Sequence, residues 1–132
     1  MSEEGQPHYN LQEFLEACKK GTSHVFIGPM DDVKGDFKLK SMENALSFIA
    51  SGGLEQLEFH NCRNWIENPK KGIPVKIDAY HFYAGSVYGY LAFLKAPLVT
   101  KWTIKSFKRE KSGDPKHRPF KDALQGFKIL GK

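Results

Sequence analysis

Cysteine is nearly absent: Cys18 and Cys62 are the only two in 132 residues. Two thiols build neither a disulfide framework nor a zinc site, so both read as buried, chemically quiet side chains. Long apolar runs are missing too; none approaches the roughly 20 residues of a membrane span. The opening MSEEGQPHYN is acidic and polar, without the basic start and apolar middle of a secretory leader. These absences set the expectation of a cytoplasmic protein without membrane contact. Also missing are a GxxxxGK[ST] phosphate loop, a GxGxxG turn after a strand and an HExxH pair. The histidines at 8, 24, 60, 81 and 117 lack ligand spacing, so neither a metal nor another cofactor is expected. Gly85-Ser86-Val87 lies between two strand-like runs and not at a strand-to-helix elbow, which argues against a serine hydrolase.

Acidic residues are scarce in one third of the chain. Residues 95–132 hold eleven Lys/Arg against three Asp/Glu, a net +8, while residues 1–94 hold nine against twelve, a net −3, within an overall charge of +5. Charge segregated in this way suits an anionic partner, a nucleic acid or an acidic protein surface. Balance against an acidic neighbour within the fold would account for it as well. What is abundant is core material: 40% of residues are hydrophobic and 13% aromatic. That is enough for one domain of this length. Residues 1–8 read as a loose tail, residues 9–132 as a single α+β domain, and residues 111–132 as a basic C-terminal extension of it.

Asn10 stands where a helix N-cap would, with Glu13 three residues on as in a capping box. Leu11, Phe14, Leu15 and Cys18 then recur at helical spacing, Lys19 and Lys20 suit the negative end of the helix dipole, and Gly21 is a stop. HVFIG at 24–28 reads as a short strand broken by Gly28-Pro29. MDDVKGDFKLK is ambiguous. Ser41 opens a second helix over MENALSFIA, ended by Gly52-Gly53. LEQLEFHNCRNWIE suits a helix turn or a strand equally. VKIDAYHFYAGSVYGYLAFL reads as a hairpin about Ala84-Gly85-Ser86, KWTIKSF as a third strand, and FKDALQGFKIL as a C-terminal helix opened by Pro119. The order predicts helices, then a small antiparallel meander, then a helix.

The chemistry available is a sheet bearing Lys, Tyr and His. Alternation puts Lys76, Asp78, Tyr80 and Phe82 on one face of the first hairpin strand and Ile77, Ala79, His81 and Tyr83 on the other. Tyr88 and Tyr90 share a face of the second strand, and Lys101 and Lys105 a face of the third. Lys108 has the parity of Trp102 and Ile104, so a strand persisting that far turns it toward the apolar side. Phenolic rings stack on bases and cations neutralise phosphates, which together make an RNA-binding surface. Cleavage adds little: histidine, tyrosine or lysine moves protons while lysine and arginine hold the extra charge on phosphorus. Each residue also has an ordinary reading, His81 as a packing histidine, the tyrosines as good strand formers, Lys101 and Lys105 as a solvated face.

KWTIKSFKRE at 101–110 resembles the last strand of the MqsR-type toxins of bacterial toxin–antitoxin systems, small ribonucleases of the RelE superfamily whose chain closes on a strand with Ser-Phe-Lys. HYNLQEFLEACKKG is similar to that family's opening helix. KIDAY at 76–80 looks like its Asp-Val-Tyr strand, with Asp78 and Tyr80 matching, and VYGYLAF falls at its tyrosine-bearing strand. The resemblance implies a RelE-like meander and a metal-independent endoribonuclease that cleaves mRNA, with an antitoxin as partner. It places phosphate stabilisation on Lys108 and the strand tyrosine on Tyr90. His81 completes the candidate catalytic set, and Lys76, Lys101, Lys105 and Arg109 the RNA-binding set. The family's glutamine falls on Ile77 and its helix-adjacent lysine on Asn61, which do not match; His60 and His81 stand nearby. The rival readings are a non-catalytic nucleic-acid-binding module and an inhibitory protein-interaction domain.

Overall fold

The computed structural model describes residues 5–65, 74–95 and 101–111. The expected turn at 68–72, the turn before residue 101 and the expected C-terminal helix lie outside them. Three helices come first or between strands: α1 (Leu11–Lys20), α2 (Met30–Phe37) and α3 (Met42–Ala50). Five strands follow in the order β1 (Val25–Ile27), β2 (Glu55–Asn64), β3 (Lys76–Ala84), β4 (Val87–Leu94) and β5 (Trp102–Arg109). The protein is therefore α+β.

The helix ends form for the local reasons their residues supply. The Asn10 side-chain oxygen accepts the Glu13 backbone N–H at 3.1 Å, and the Ser41 hydroxyl accepts that of Asn44 at 3.0 Å. Gly21 closes α1 at φ 92, in the left-handed region where glycine carries no Cβ penalty. α2 resolves the ambiguous MDDVKGDF stretch: Val33 is its buried contact, and Lys38 ends it at φ 61. LEQLEFHNCRN resolves as strand.

The sheet runs β1-β5-β4-β3-β2. Strands β3 to β5 form the expected antiparallel meander and β2 extends it antiparallel to β3, but the sheet as a whole is mixed, because β1 pairs parallel to β5 in the register Val25↔Trp102, Ile27↔Ile104. The expectation of a wholly antiparallel sheet is corrected here. A parallel pair needs a long crossover, and the segment from α2 through β4 is that crossover. The hairpin turns on Gly85-Ser86, with Gly85 at φ 62 and Ser86 outside the positive-φ region, the pattern of a type II′ turn.

The helices cover one face. Phe14, Val33, Leu46 and Ile49 pack with Tyr80, Phe82, Leu91, Phe93, Trp102, Ile104 and Phe107 in one core. The rings of Phe14 and Phe93 stack at 3.8 Å and those of Phe37 and Phe107 at 4.6 Å. Gly89 sits opposite Phe82, whose ring lies where a Cβ would be, 2.2 Å away. Within this face Asp78 is completely buried. Its two carboxylate oxygens accept the backbone N–H groups of His8 at 3.0 Å and Tyr9 at 2.8 Å. The Tyr9 hydroxyl lies 2.8 Å from the Lys76 carbonyl and 3.1 Å from that of Lys95. The segment expected to be loose up to residue 8 thus ends in an anchor. A buried carboxylate requires such donors, since without them its desolvation would go uncompensated.

On the other face a smaller apolar cluster of Val75, Ile77, Ala79, Ala92 and Leu94 occupies one end of β3 and β4, with Trp65 and Tyr90 against it. The far end of the same face is polar.

Candidate functional site

Two irregularities in the ladder decide which side chains reach that polar end. In β5, Ile104 pairs with Phe93 and Ser106 with Ala92, so Lys105 is an extra residue. One extra residue reverses the alternation beyond it. Phe107 then joins Trp102 and Ile104 in the core, and Lys108 turns to the opposite face, across from Tyr90. The expectation that a continuing strand would aim Lys108 at the apolar side is corrected by this bulge. In β2, Phe59 pairs with Tyr80 and Asn61 with Ala79, leaving His60 as the extra residue. The shift puts Asn61 and Arg63, as well as His60, on the face of Tyr90.

The result is a compact group. Tyr90 is the register partner of His81 on β3 and of Lys108 on β5, so three sequence-predicted residues stand in one row across three adjacent strands. Directly paired residues bring their Cβ atoms within about 5.5 Å of each other. The Arg63 guanidinium donates to the Tyr90 hydroxyl at 3.0 Å. The Nε2 of His81 lies 2.8 Å from Oε1 of Glu110, both side chains being mostly buried. Glu110 is held in turn by its backbone N–H, which donates to the Tyr88 carbonyl at 2.9 Å. The rings of His60 and His81 are 4.5 Å apart, those of His81 and Tyr88 stack at 5.1 Å, and His81 and Tyr90 are at 5.7 Å. Among the described residues, no three of His, Cys, Asp and Glu group as a metal-ligand set.

The four expected RNA-binding cations are distributed differently. Lys105 shares the site's face, with its ammonium 5.2 Å from the centre of the Trp65 ring, a cation–π contact. Lys101 has the alternation of Thr103 and so the same face, but it lies seven residues from Lys108, roughly 20 Å along a strand. Lys76 belongs to the Asp78, Tyr80 and Phe82 side of β3 and does not join Tyr90. Arg109 is exposed with the parity of Phe107, and its backbone N–H donates to Asp36 at 2.9 Å, which ties the end of β5 to α2. Tyr80, one of the resemblance's matches, is a core residue against Phe59 and Phe93. Burial first, and Asp78 second, push its phenol up to about 12, which makes it a poor proton donor or acceptor near neutrality. Burial likewise pushes the Cys18 thiol up to about 12.

Arg63 and Glu110 were not singled out by sequence reasoning. Arg63 lay in a stretch that read as helix or strand, and strict alternation gives no sign of a bulge. Glu110 closes the KWTIKSFKRE stretch, and nothing in its spacing marks it as a partner for His81.

Chemically the group offers two imidazoles, a phenol, two cations and the Glu110 carboxylate on one side of the sheet, with the exposed Glu58 in register with His81. Imidazole moves protons at neutral pH, and guanidinium and ammonium hold an anion. No helix among the described residues is long and apolar enough to cross a membrane. No protein-family model, curated protein or solved structure matches this chain.

Proposed function

We propose that this face binds single-stranded RNA and cleaves it by attack of a ribose 2′-hydroxyl on the adjacent phosphate. The observation that carries the reading is the row His81–Tyr90–Lys108 with Arg63 bonded to Tyr90. In this mechanism an imidazole takes the 2′-hydroxyl proton as the oxygen bonds to phosphorus. Lys108 and Arg63 hold the charge that builds on the non-bridging oxygens, the role for which preorganised cations are most effective. The bond to the 5′-oxygen breaks, that oxygen gains a proton from a second acid, and the products are a 2′,3′-cyclic phosphate and a free 5′-hydroxyl. Tyr90, held by Arg63, orients the phosphate between them. All the positive charge this route needs comes from side chains, and no metal or cofactor takes part.

The order of elements, an opening helix and a meander ending in Ser-Phe-Lys, supports reading the protein as a RelE/MqsR-like toxin with an antitoxin as its partner and mRNA in the cytoplasm as its substrate. The experiment is to incubate the purified protein with long mixed-sequence RNA, with and without a chelator. Cleavage unaffected by chelator, leaving cyclic phosphate ends, is expected. Lys108→Ala is expected to lower it about 10²–10³-fold, the scale of losing one charge-stabilising group. Expression of the wild type, but not of Lys108→Ala, should arrest growth. RNA bound but left whole would overturn the enzymatic reading and leave a binding module, whose affinity should fall with salt at a slope of about −0.7 per phosphate contacted.

A further inference from the structure

The two imidazoles of the site are not equivalent. His81 has its ring stacked on Tyr88 at 5.1 Å, lies 4.5 Å from His60 on ring centres, and has Nε2 engaged by Glu110 at 2.8 Å. Its side chain is only 16% exposed. The nitrogen that an extended strand residue would present outward is therefore occupied by a carboxylate. Glu110 follows directly on β5, its backbone N–H donates to the Tyr88 carbonyl at 2.9 Å, and its side chain is only 18% exposed. His60 is different. It is the extra residue of the β2 bulge, it is exposed, and its ring stands beside both His81 and Tyr90, the latter at 6.2 Å. Bulges recur next to active sites because they re-aim one side chain without disturbing the strands on either side.

We infer that His60 is the catalytic residue that exchanges protons with the substrate, and that His81, tethered by Glu110, is a positioning residue that holds the His60 ring over Tyr90. This deepens the RNA-cleaving reading and rests on it for its activity measurements. His60 is the imidazole a 2′-hydroxyl reaches from solvent. His81 presents a ring whose orientation is set from both ends, by Tyr88 and by Glu110, and against which His60 packs. Arg63, bonded to the Tyr90 hydroxyl, and Lys108, the register partner of Tyr90, supply the cations for the phosphate.

Cleavage of mixed-sequence RNA by His60→Ala, His81→Ala and Glu110→Gln, each with and without added imidazole, tests the assignment. His60→Ala is expected to lose about 10²–10³-fold in kcat, the usual scale of general acid–base catalysis, and to regain part of it with imidazole, which enters the exposed place left by the ring. His81→Ala and Glu110→Gln are expected to lose roughly tenfold, in kcat and not KM, without rescue; this is the scale on which a supporting partner acts. Rescue of His81→Ala but not of His60→Ala would overturn the inference. So would faster cleavage by Glu110→Gln, which would mean that the carboxylate blocks the working nitrogen. A second measurement does not depend on turnover. Imidazole NMR signals are followed while a mixed-sequence single-stranded DNA, which lacks the attacking 2′-hydroxyl, is added. The His60 signal should move with ligand and the His81–Glu110 pair should persist. Movement of His81 with loss of that pair, and a silent His60, would overturn the assignment even if the protein proves not to cleave RNA. Intact RNA with a His60 response would instead reject the enzymatic reading and keep His60 as the ligand-facing imidazole.

Discussion

The two faces of the sheet are made by the same strands and differ in what a substitution would disturb. On the helix side, Phe14, Phe82, Phe93 and Phe107 are wholly inaccessible, with the rings of Phe14 and Phe93 and those of Phe82 and Phe107 in contact. On the other side, Arg63 donates to Tyr90 and His81 meets Glu110, with His60 and Lys108 beside them, and the group remains partly reachable. One face holds the protein together and the other presents chemistry. The two bulges are what keep them separate, since without the extra residue in β5 an ammonium would point into the aromatic core.

The comparison can be broken most severely at Phe93. Phe93→Ala removes a ring stacked on Phe14 and should cost about 4 kcal/mol in urea unfolding, the usual scale for Phe→Ala in a core. Asp78→Asn should cost roughly 2–3 kcal/mol, because the amide offers one acceptor where two backbone donors need two. Gly89→Ala pushes a methyl into the Phe82 ring and should cost about 1–3 kcal/mol. Lys108→Ala sharpens the contrast from the other side: unfolding should move by only about 0.5 kcal/mol, while under the proposed mechanism RNA cleavage should fall about 10²–10³-fold. High pH discriminates in a gentler way. Cys18 and Tyr80 have folded pKa values raised to about 12, from 9 and 10. The unfolded chain therefore loses these protons first. Stability is intact below pH 9 and declines as pH rises toward 12. The urea midpoint should fall across that window, and Cys18→Ala with Tyr80→Phe should flatten the fall.

Much of the fold was legible in local chemistry. Asn10 and Ser41 announce their helices because a short polar side chain at that place satisfies an orphan N–H. Gly85-Ser86 announces the hairpin because its turn needs a positive φ. The parallel β1–β5 pairing was not legible, since three residues carry no signal for a partner some 75 positions away. The bulges were not legible either. Alternation is a rule about pairs, and where one strand slips is settled by what both sides must bury, such as Phe107 in the core. For the site, parity alone puts His81 on one face of its strand and Tyr90 on one face of the next, while their pairing, the orientation of Lys108 and the presence of Arg63 required the ladder itself. Asp78 reads in the sequence as a match to the resembled family's strand, and only the burial around it reveals an anchor for the backbone of residues 8 and 9.

The position of β5 has a consequence for how the molecule is made. It lies between β1 and β4, so among the described strands the first in sequence has no strand neighbour until the last one leaves the ribosome. Pairings this distant in sequence close slowly, because a long loop must be ordered before its contacts repay the cost. Residues 25–27 must wait without a strand partner until residues 102–109 have been made, and the side chains of Lys108 and Glu110 reach their places only when that strand inserts. The nascent chain therefore completes the pairing of its first described strand and the polar group at the end of β5 in one step.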